Sequence, residues 1–205
     1  MKTAFKDQEW TGNSAIIKRM LDILVALIIL FLFLPLFGVI SVLVLVDLGW
    51  PFFYSQERMG KHGTVFKIIK FRTMPKEAEQ NGPQLASDED ERATPLGKKL
   101  RKWRLDELPQ FFNVLLGDMS IVGPRPEREF YLKQIEQQLP EYRYLLNVRP
   151  GITSKGMVKY GYASTVDQMI DRAKYDLDYL KNLSFKNDLR VLLETIIVIT
   201  EGSGK

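Results

Sequence analysis

The sequence predicts a predominantly helical α+β chain: a membrane-embedded helix broken near its middle, a small β-hairpin, and a series of amphipathic helices in one domain over 1–205. Three observations carry that prediction. Residues 23–46 hold no charge and are interrupted by Pro35. Residues 51–56 and 65–72 are short runs rich in aromatic and β-branched side chains around a turn with Gly60 and Gly63, the pattern of a hairpin. Apolar residues further on recur at helical rather than strand spacing. At 205 residues the chain can bury one core without covalent staples.

The uncharged run is long enough to cross a bilayer, for which about 20 helical residues suffice. It is too long for a cleaved signal peptide, and residues 43–49 lack a small-residue cleavage pattern. A soluble helix apolar on every face would be unusual in so small a domain. Pro35 removes a backbone donor and clashes with the preceding turn, so a bend is expected there. Basic residues flank both ends, Lys18 and Arg19 before and Arg58, Lys61, Lys67 and Lys70 after, so neither flank reads as the translocated side. A straight span and a helix that enters, breaks and returns both remain open on this evidence. No second run of spanning length follows, since residues 191–200 are short and contain Glu194. Everything downstream is therefore expected on one face of the membrane.

After the hairpin, residues 75–93 read as a long polar loop containing Asn81-Gly82-Pro83 and the acidic Asp88-Glu89-Asp90-Glu91. Thr94-Pro95 supplies a cap and first-turn proline for a helix with Leu96, Leu100 and Trp103 on one stripe. Its other face carries Lys98, Lys99, Arg101, Lys102 and Arg104, which suits either an anionic lipid surface or plain solvent. Pro109 starts another helix that ends at Gly117, placing Asp106 and Glu107 at or just before its N-terminus. Capping is the ordinary role of acids there; their position between basic stretches beside a membrane segment points to chemistry. In Gly123-Pro124-Arg125-Pro126 the prolines hold Arg125 on stiff, extended backbone, as an aimed phosphate-binding guanidinium requires. Arg149 precedes Pro150-Gly151 in the same way, where a plain turn is the alternative. Further helices are expected at 127–139, at 165–180 after a Ser164 cap, and at 186–200.

Composition limits the chemistry. There is no cysteine and only one histidine, His62, which removes disulfides, thiolate metal sites and serine–histidine triads. Reactive groups must be carboxylates, lysines, arginines, hydroxyls or a hard cation held by oxygen. Lysine and arginine number 29 against 25 acids, and the clustering of each sign suits an anionic partner.

The segments Phe66-Lys67-Ile68-Ile69-Lys70-Phe71-Arg72-Thr73-Met74, Leu105-Asp106-Glu107-Leu108-Pro109-Gln110, Gly117-Asp118-Met119-Ser120, Val122-Gly123-Pro124-Arg125-Pro126 and Val148-Arg149-Pro150-Gly151-Ile152-Thr153 together resemble the monotopic phosphoglycosyl transferases, or bacterial sugar transferases. The resemblance runs from Lys18 to about Thr200. It implies a re-entrant helix-break-helix over 18–48 that enters and leaves on the cytoplasmic face, broken at Pro35, with a catalytic part over 49–205 on the cytoplasmic side of the bacterial inner membrane. Many members carry serine before this proline, where Leu34 stands here. The implied reaction moves a sugar 1-phosphate from a UDP-sugar to polyprenyl phosphate such as undecaprenyl phosphate, releasing UMP, with Mg2+ required. It is the first membrane step of glycoconjugate synthesis. Asp106 would be the nucleophile and covalent phosphosugar carrier, with Glu107 beside it at the metal. Lys70, Arg101 and Arg125 match the family's phosphate-binding positions, and Arg149 is a candidate for the nucleotide. Ser154-Lys155-Gly156-Met157 departs from the commoner Gly-Trp-Ala-Gln, which leaves the sugar open. The implied partners are the donor, the lipid acceptor and the bilayer, with no nucleic acid; pairing with a second copy is left open. The alternative reading, from the residues alone, is a noncatalytic module that binds anionic lipid through Lys98 to Arg104.

Overall fold

The computed structural model describes residues 5, 8–80, 82–85 and 90–201. Asn81, Asp88 and Glu89 of the expected polar loop lie outside the described residues.

Two apolar helices come first, Gly12–Leu32 (α1) and Leu34–Leu48 (α2), bent by 65° relative to each other. The break expected at Pro35 falls at Phe33, whose φ and ψ of −95° and 7° leave the helical ladder. Pro35 itself lies in the first turn of α2, where its missing N–H has no helical partner to lose and its ring clash is directed at the residues before it. Ladder bonds persist on both sides: Phe33 N–H donates to Ile29 O at 2.9 Å, and Phe37 N–H to Phe33 O at 2.8 Å. No single described helix is long and apolar enough to cross a membrane. The pair nevertheless leaves Phe31, Leu34 and Val46 well exposed, Val46 at 81%.

The charges preceding the apolar run are engaged by the rest of the protein. Lys18 is buried between Asp22 and Asp188, at 2.8 and 2.9 Å. Arg19 closes the end of a later helix by donating to the carbonyls of Val114 and Leu115, at 2.7 and 3.1 Å. Asp22 accepts from Ser120 Oγ and Ile121 N, at 2.8 and 3.1 Å, so the first half of α1 is bolted into the rest of the protein.

The hairpin consists of Phe53–Met59 (β1) and Val65–Phe71 (β2), antiparallel in the register Phe53↔Phe71 to Met59↔Val65. β1 starts later than the 51–56 window, past Pro51, which has no N–H to give a ladder. Residues paired across the ladder share a face, so Tyr54 stands with Lys70 and Gln56 with Ile68. The opposite face carries Phe53 and Phe71, whose rings lie 5.7 and 4.8 Å from that of Phe37 in α2.

Downstream come Pro95–Lys102 (α3), Gln110–Leu116 (α4), Ser120–Val122 (β3), Glu129–Gln138 (α5), Gly151–Thr153 (β4), Lys155–Lys159 (α6), Val166–Lys181 (α7) and Phe185–Thr200 (α8). The cap of α7 is Thr165, which accepts from Gln168 N; Ser164 instead donates its own N–H to Gln168 Oε1. β3 and β4 form a parallel pair absent from the sequence prediction, as are α6 and a 3-10 stretch at Pro140–Asn147. Strands of three residues are too short to show a period of two. A Cβ on Gly123 would lie 2.3 Å from Arg149 O, so the close approach that pins the Gly-Pro-Arg-Pro segment to β4 requires glycine. One core lies among α5, α7 and the 140–147 stretch around Ile135, Met169 and Leu180; another unites α1, α4 and β3 through Ala26, Val114 and Met119. α8 leaves Leu189, Leu193, Ile196 and Ile197 exposed along one face.

Candidate active site

The hairpin face that bears Lys70 is the floor of a cleft of about 240 Å³. Strand pairing puts Tyr54, Gln56, Arg58, Ile68 and Lys70 on that floor, with Arg101 and Asp106 contributed from one side and Arg125, Arg128 and Tyr162 from others.

α3 reaches this cleft because it lies hard against the end of β2. Thr94 caps it, accepting from Gly97 N at 2.9 Å. Gly97 has no room for a side chain: a Cβ would stand 2.3 Å from Thr73 O. The close approach lets Arg101 Nε donate to Thr73 Oγ1 at 3.0 Å, with its Nη1 3.6 Å from Asp90 Oδ2. Gly97→Ala must therefore push α3 off the strand and carry Arg101 with it. We expect a loss of about 1–3 kcal/mol in thermal unfolding together with weaker binding of an anionic substrate; unchanged stability and affinity would contradict this packing.

The basic face expected on α3 is smaller than the sequence suggested. Lys98, Lys99 and Lys102 are exposed, and of the stripe of Leu96, Leu100 and Trp103, Leu100 is buried while Trp103 is 45% exposed. Arg104 lies beyond the helix in left-handed backbone with φ 54°, is buried, and turns back toward the cleft.

Asp106 and Glu107 occupy a 3-10 turn, Leu105–Glu107, before α4. Pro109 rather than either acid holds the N-cap position of α4. Asn113, fully inside, fixes α4 to β2 by donating to Lys67 O at 2.8 Å and accepting from Ile69 N at 3.0 Å, which sets the acidic turn against Lys70. The two neighbours differ sharply in their partners. Glu107 takes Lys70 Nζ at 2.8 Å, Arg125 Nη2 at 3.5 Å and Arg104 Nη1 at 3.8 Å. Asp106 has Lys70 at 4.0 Å and no side-chain hydrogen bond among the described residues, yet it lines the cleft.

Lys70, Arg101, Arg125, Asp106 and Glu107 are thus gathered at one place, while Arg149 does not join them. It is exposed, donates through Nε to Gly117 O at 2.8 Å, and lines a separate depression with Lys18, Arg19 and Asp22. Three residues escaped sequence reasoning. Arg58, counted there as a flank charge, belongs to the cleft; Asn113 was an unremarked polar residue in an apolar helix; Tyr162 gave no signal. The Tyr162 ring lies 5.0 Å from the guanidinium of Arg104 and 5.6 Å from that of Arg125, stacking both beside Glu107.

The bacterial sugar transferase family model matches residues 13–202. The chain belongs to that family. Among its relatives, a UDP-N-acetylgalactosamine-undecaprenyl-phosphate N-acetylgalactosaminephosphotransferase of Aeromonas hydrophila is 44% identical over 190 residues, 93% of this chain and 45% of the relative. A putative undecaprenyl-phosphate N-acetylgalactosaminyl 1-phosphate transferase of Bacillus subtilis is 43% identical over 68% of this chain and 78% of its own length. A UDP-glucose:undecaprenyl-phosphate glucose-1-phosphate transferase of Caulobacter vibrioides is 37% identical over 87% of this chain and 68% of the relative. The chain therefore spans about half the length of the Aeromonas protein.

In this bacterial sugar transferase the cations divide the electrostatics of the acidic pair. Burial opposes ionisation of both acids. For Asp106 burial prevails, and the charge of Glu107 adds to it, so its carboxyl is raised above the usual aspartate range despite Lys70. For Glu107, Lys70, Arg125 and Arg104 overcome burial and hold it well below the usual range. Burial and then the charge of Glu107 push Tyr162 up to about 12, so it remains a neutral phenol. At the cleft's far end, burial draws Arg58 down to about 10, against the pull of Glu127.

Among the described residues no cluster of three or more metal-binding side chains exists. Mg2+ needs none, because it is commonly held by one or two carboxylates with substrate phosphates and water. Asp106, open to the cleft and short of partners, fits such a shared site; Glu107 has one oxygen committed to Lys70.

Proposed function

We propose that this protein transfers a sugar 1-phosphate from a UDP-sugar to undecaprenyl phosphate at the cytoplasmic face of the bacterial inner membrane, releasing UMP. The supporting observation is the asymmetry of the pair: Glu107 is locked by three cations, while Asp106 faces a cleft lined by Lys70, Arg101 and Arg125.

The chemistry follows from that asymmetry. A diphosphate repels a carboxylate, so its nonbridging oxygens must be neutralised before attack. Lys70, Arg101 and Arg125 supply fixed positive charge there, and Arg125 is stiffened by the flanking prolines and stacked on Tyr162. Mg2+ held by Asp106 and Glu107 with the donor phosphates would add Lewis-acid neutralisation. An Asp106 oxygen attacks the sugar-bearing phosphorus, the bond to the bridging oxygen breaks, and UMP departs. The sugar phosphate stays on Asp106 until an oxygen of the acceptor phosphate attacks the same phosphorus and returns the free carboxylate. Splitting the reaction lets the soluble product leave before the lipid reacts. The bent apolar pair α1 and α2, with the exposed stripe of α8, supports residence at the bilayer surface, since patches of this kind are rarely left to water.

A two-stage route predicts exchange without acceptor: labelled UMP should enter UDP-N-acetylgalactosamine or UDP-glucose when the protein and Mg2+ are present alone. Because Asp106 must be ionised to attack and its carboxyl is raised, the exchange rate should climb with pH through a region above that of an ordinary aspartate, about 3.9. Turnover with acceptor but no exchange would show direct attack in a ternary complex and overturn the route.

A further inference from the structure

A third basic residue shares the strand face of Lys70. Arg72 lies one residue past β2, continues its ladder by donating its N–H to Phe52 O at 2.9 Å, and lines the cleft with Lys70 where the strand runs into the end of α2. It is only 5% exposed. Its Nη2 donates to the carbonyls of Leu48 and Gly49, the latter at 2.6 Å, and so closes the C-terminus of α2. Its Nε and Nη1 have no partner among the described residues, although the side chain lines the same cleft as Asp106. Leaving charged N–H groups buried without an acceptor is costly. Closing a helix end uses one edge of the guanidinium and does not account for the other groups; an anion in the cleft would.

We propose that Arg72 receives the phosphate of the lipid acceptor. The inference rests on the transferase reading above and adds where the second substrate docks. The shared chemistry is a phosphate, and the donor also carries two, so position decides between them. Of the basic residues on the cleft floor, Arg72 alone is bonded to α2, whose end exposes Val46 and, just beyond, Trp50 at 71%. A polyprenyl chain lying on that apolar surface brings its headgroup to Leu48 and Gly49. Lys70 follows at about 7 Å along the strand, and Arg58, opposite Phe66, lies about 13 Å further on. The cleft is therefore ordered: Arg72 at the membrane-helix end, Lys70 beside the nucleophile, Arg58 at the far end. An acceptor oxygen held at Arg72 approaches the phosphorus on Asp106 from the lipid side, forms the new P–O bond and displaces the carboxylate, with no proton to be moved from a phosphate dianion.

The test separates the two stages with the full chain in lipid nanodiscs, using UDP-N-acetylgalactosamine or UDP-glucose, whichever loads the unaltered protein, and undecaprenyl phosphate. Arg72→Gln should acquire the sugar-phosphate adduct within about threefold of the unaltered rate, yet discharge it to subsaturating acceptor at least about tenfold more slowly, with recovery as acceptor is raised. Arg72→Lys should fall between. Normal adduct formation also certifies the fold; if Arg72→Gln cannot be loaded, the same comparison is made on Arg72→Lys, which keeps a donor for Leu48 and Gly49. Discharge at the unaltered rate would overturn the proposal, as would equal slowing of both stages, which would mean that Arg72 serves the donor or only holds α2. Absence of adduct in the unaltered protein would instead overturn the transferase route itself and take this inference with it.

Discussion

Asp106→Asn is expected to abolish turnover, with a loss on the order of 10⁴-fold or more, as for removal of other covalent nucleophiles. The amide matches the carboxylate in shape but does not attack phosphorus. Its effect on folding should be the reverse of its effect on catalysis. Asp106 is buried, makes no side-chain hydrogen bond among the described residues and sits next to a second carboxylate, so ionising it costs stability. Removing that charge should leave the thermal midpoint unchanged or raise it. Activity assays and thermal unfolding on the same preparation check both halves.

Glu107→Gln should do the opposite to stability. Three cations converge on this carboxylate, and deleting its charge leaves buried Arg104 and half-buried Lys70 and Arg125 mutually repelling. Breaking a buried pair from one side costs about 3–5 kcal/mol, which in a chain of this size lowers the midpoint by on the order of 10 °C. Activity should fall by on the order of 10²-fold, because the cations are no longer aimed at the diphosphate and Lys70, already 4.0 Å from Asp106, turns to it. The pH profile of the residual activity supplies a signed check. Glu107 raises Asp106 and Lys70 lowers it, so the variant's rising limb should move to lower pH. A limb that stays in place would mean that the two acids do not communicate.

Much of this arrangement could be read before the fold was known, for local reasons. Thr94-Pro95 announced a helix start because capping depends only on neighbours in sequence. Asp106 and Arg125 sit in segments whose own chemistry marks them, an acidic pair before a proline and an arginine between prolines, whereas Lys70 and Arg101 are marked only by resemblance to the family. Residues whose role depends on distant partners were hidden. Helical spacing puts Arg104 on the outward basic face of α3, toward lipid or solvent, but left-handed backbone after α3 turns it inward onto Tyr162, some 58 residues away in sequence, and Glu107. The partners of Lys18 and Arg19, Asp188 and the end of α4, lie far off in sequence, so only their place beside the apolar run is legible there. The parallel pair of β3 and β4 joins segments separated by more than twenty residues, each too short to declare itself. The bend falls at Phe33 rather than Pro35 because a proline disturbs the turn before it while fitting a helix start.

The central claim is that the carboxylate of Asp106 becomes covalently loaded. Intact-protein and peptide mass spectrometry, after acid quench of the protein with Mg2+ and UDP-sugar but no lipid acceptor, addresses it most directly. The account predicts a gain of one sugar phosphate located on the peptide containing Asp106, absent in Asp106→Asn and lost when undecaprenyl phosphate is added before the quench. An unshifted mass in a preparation that turns over fully with acceptor, or an Asp106→Asn variant of normal activity, would contradict it.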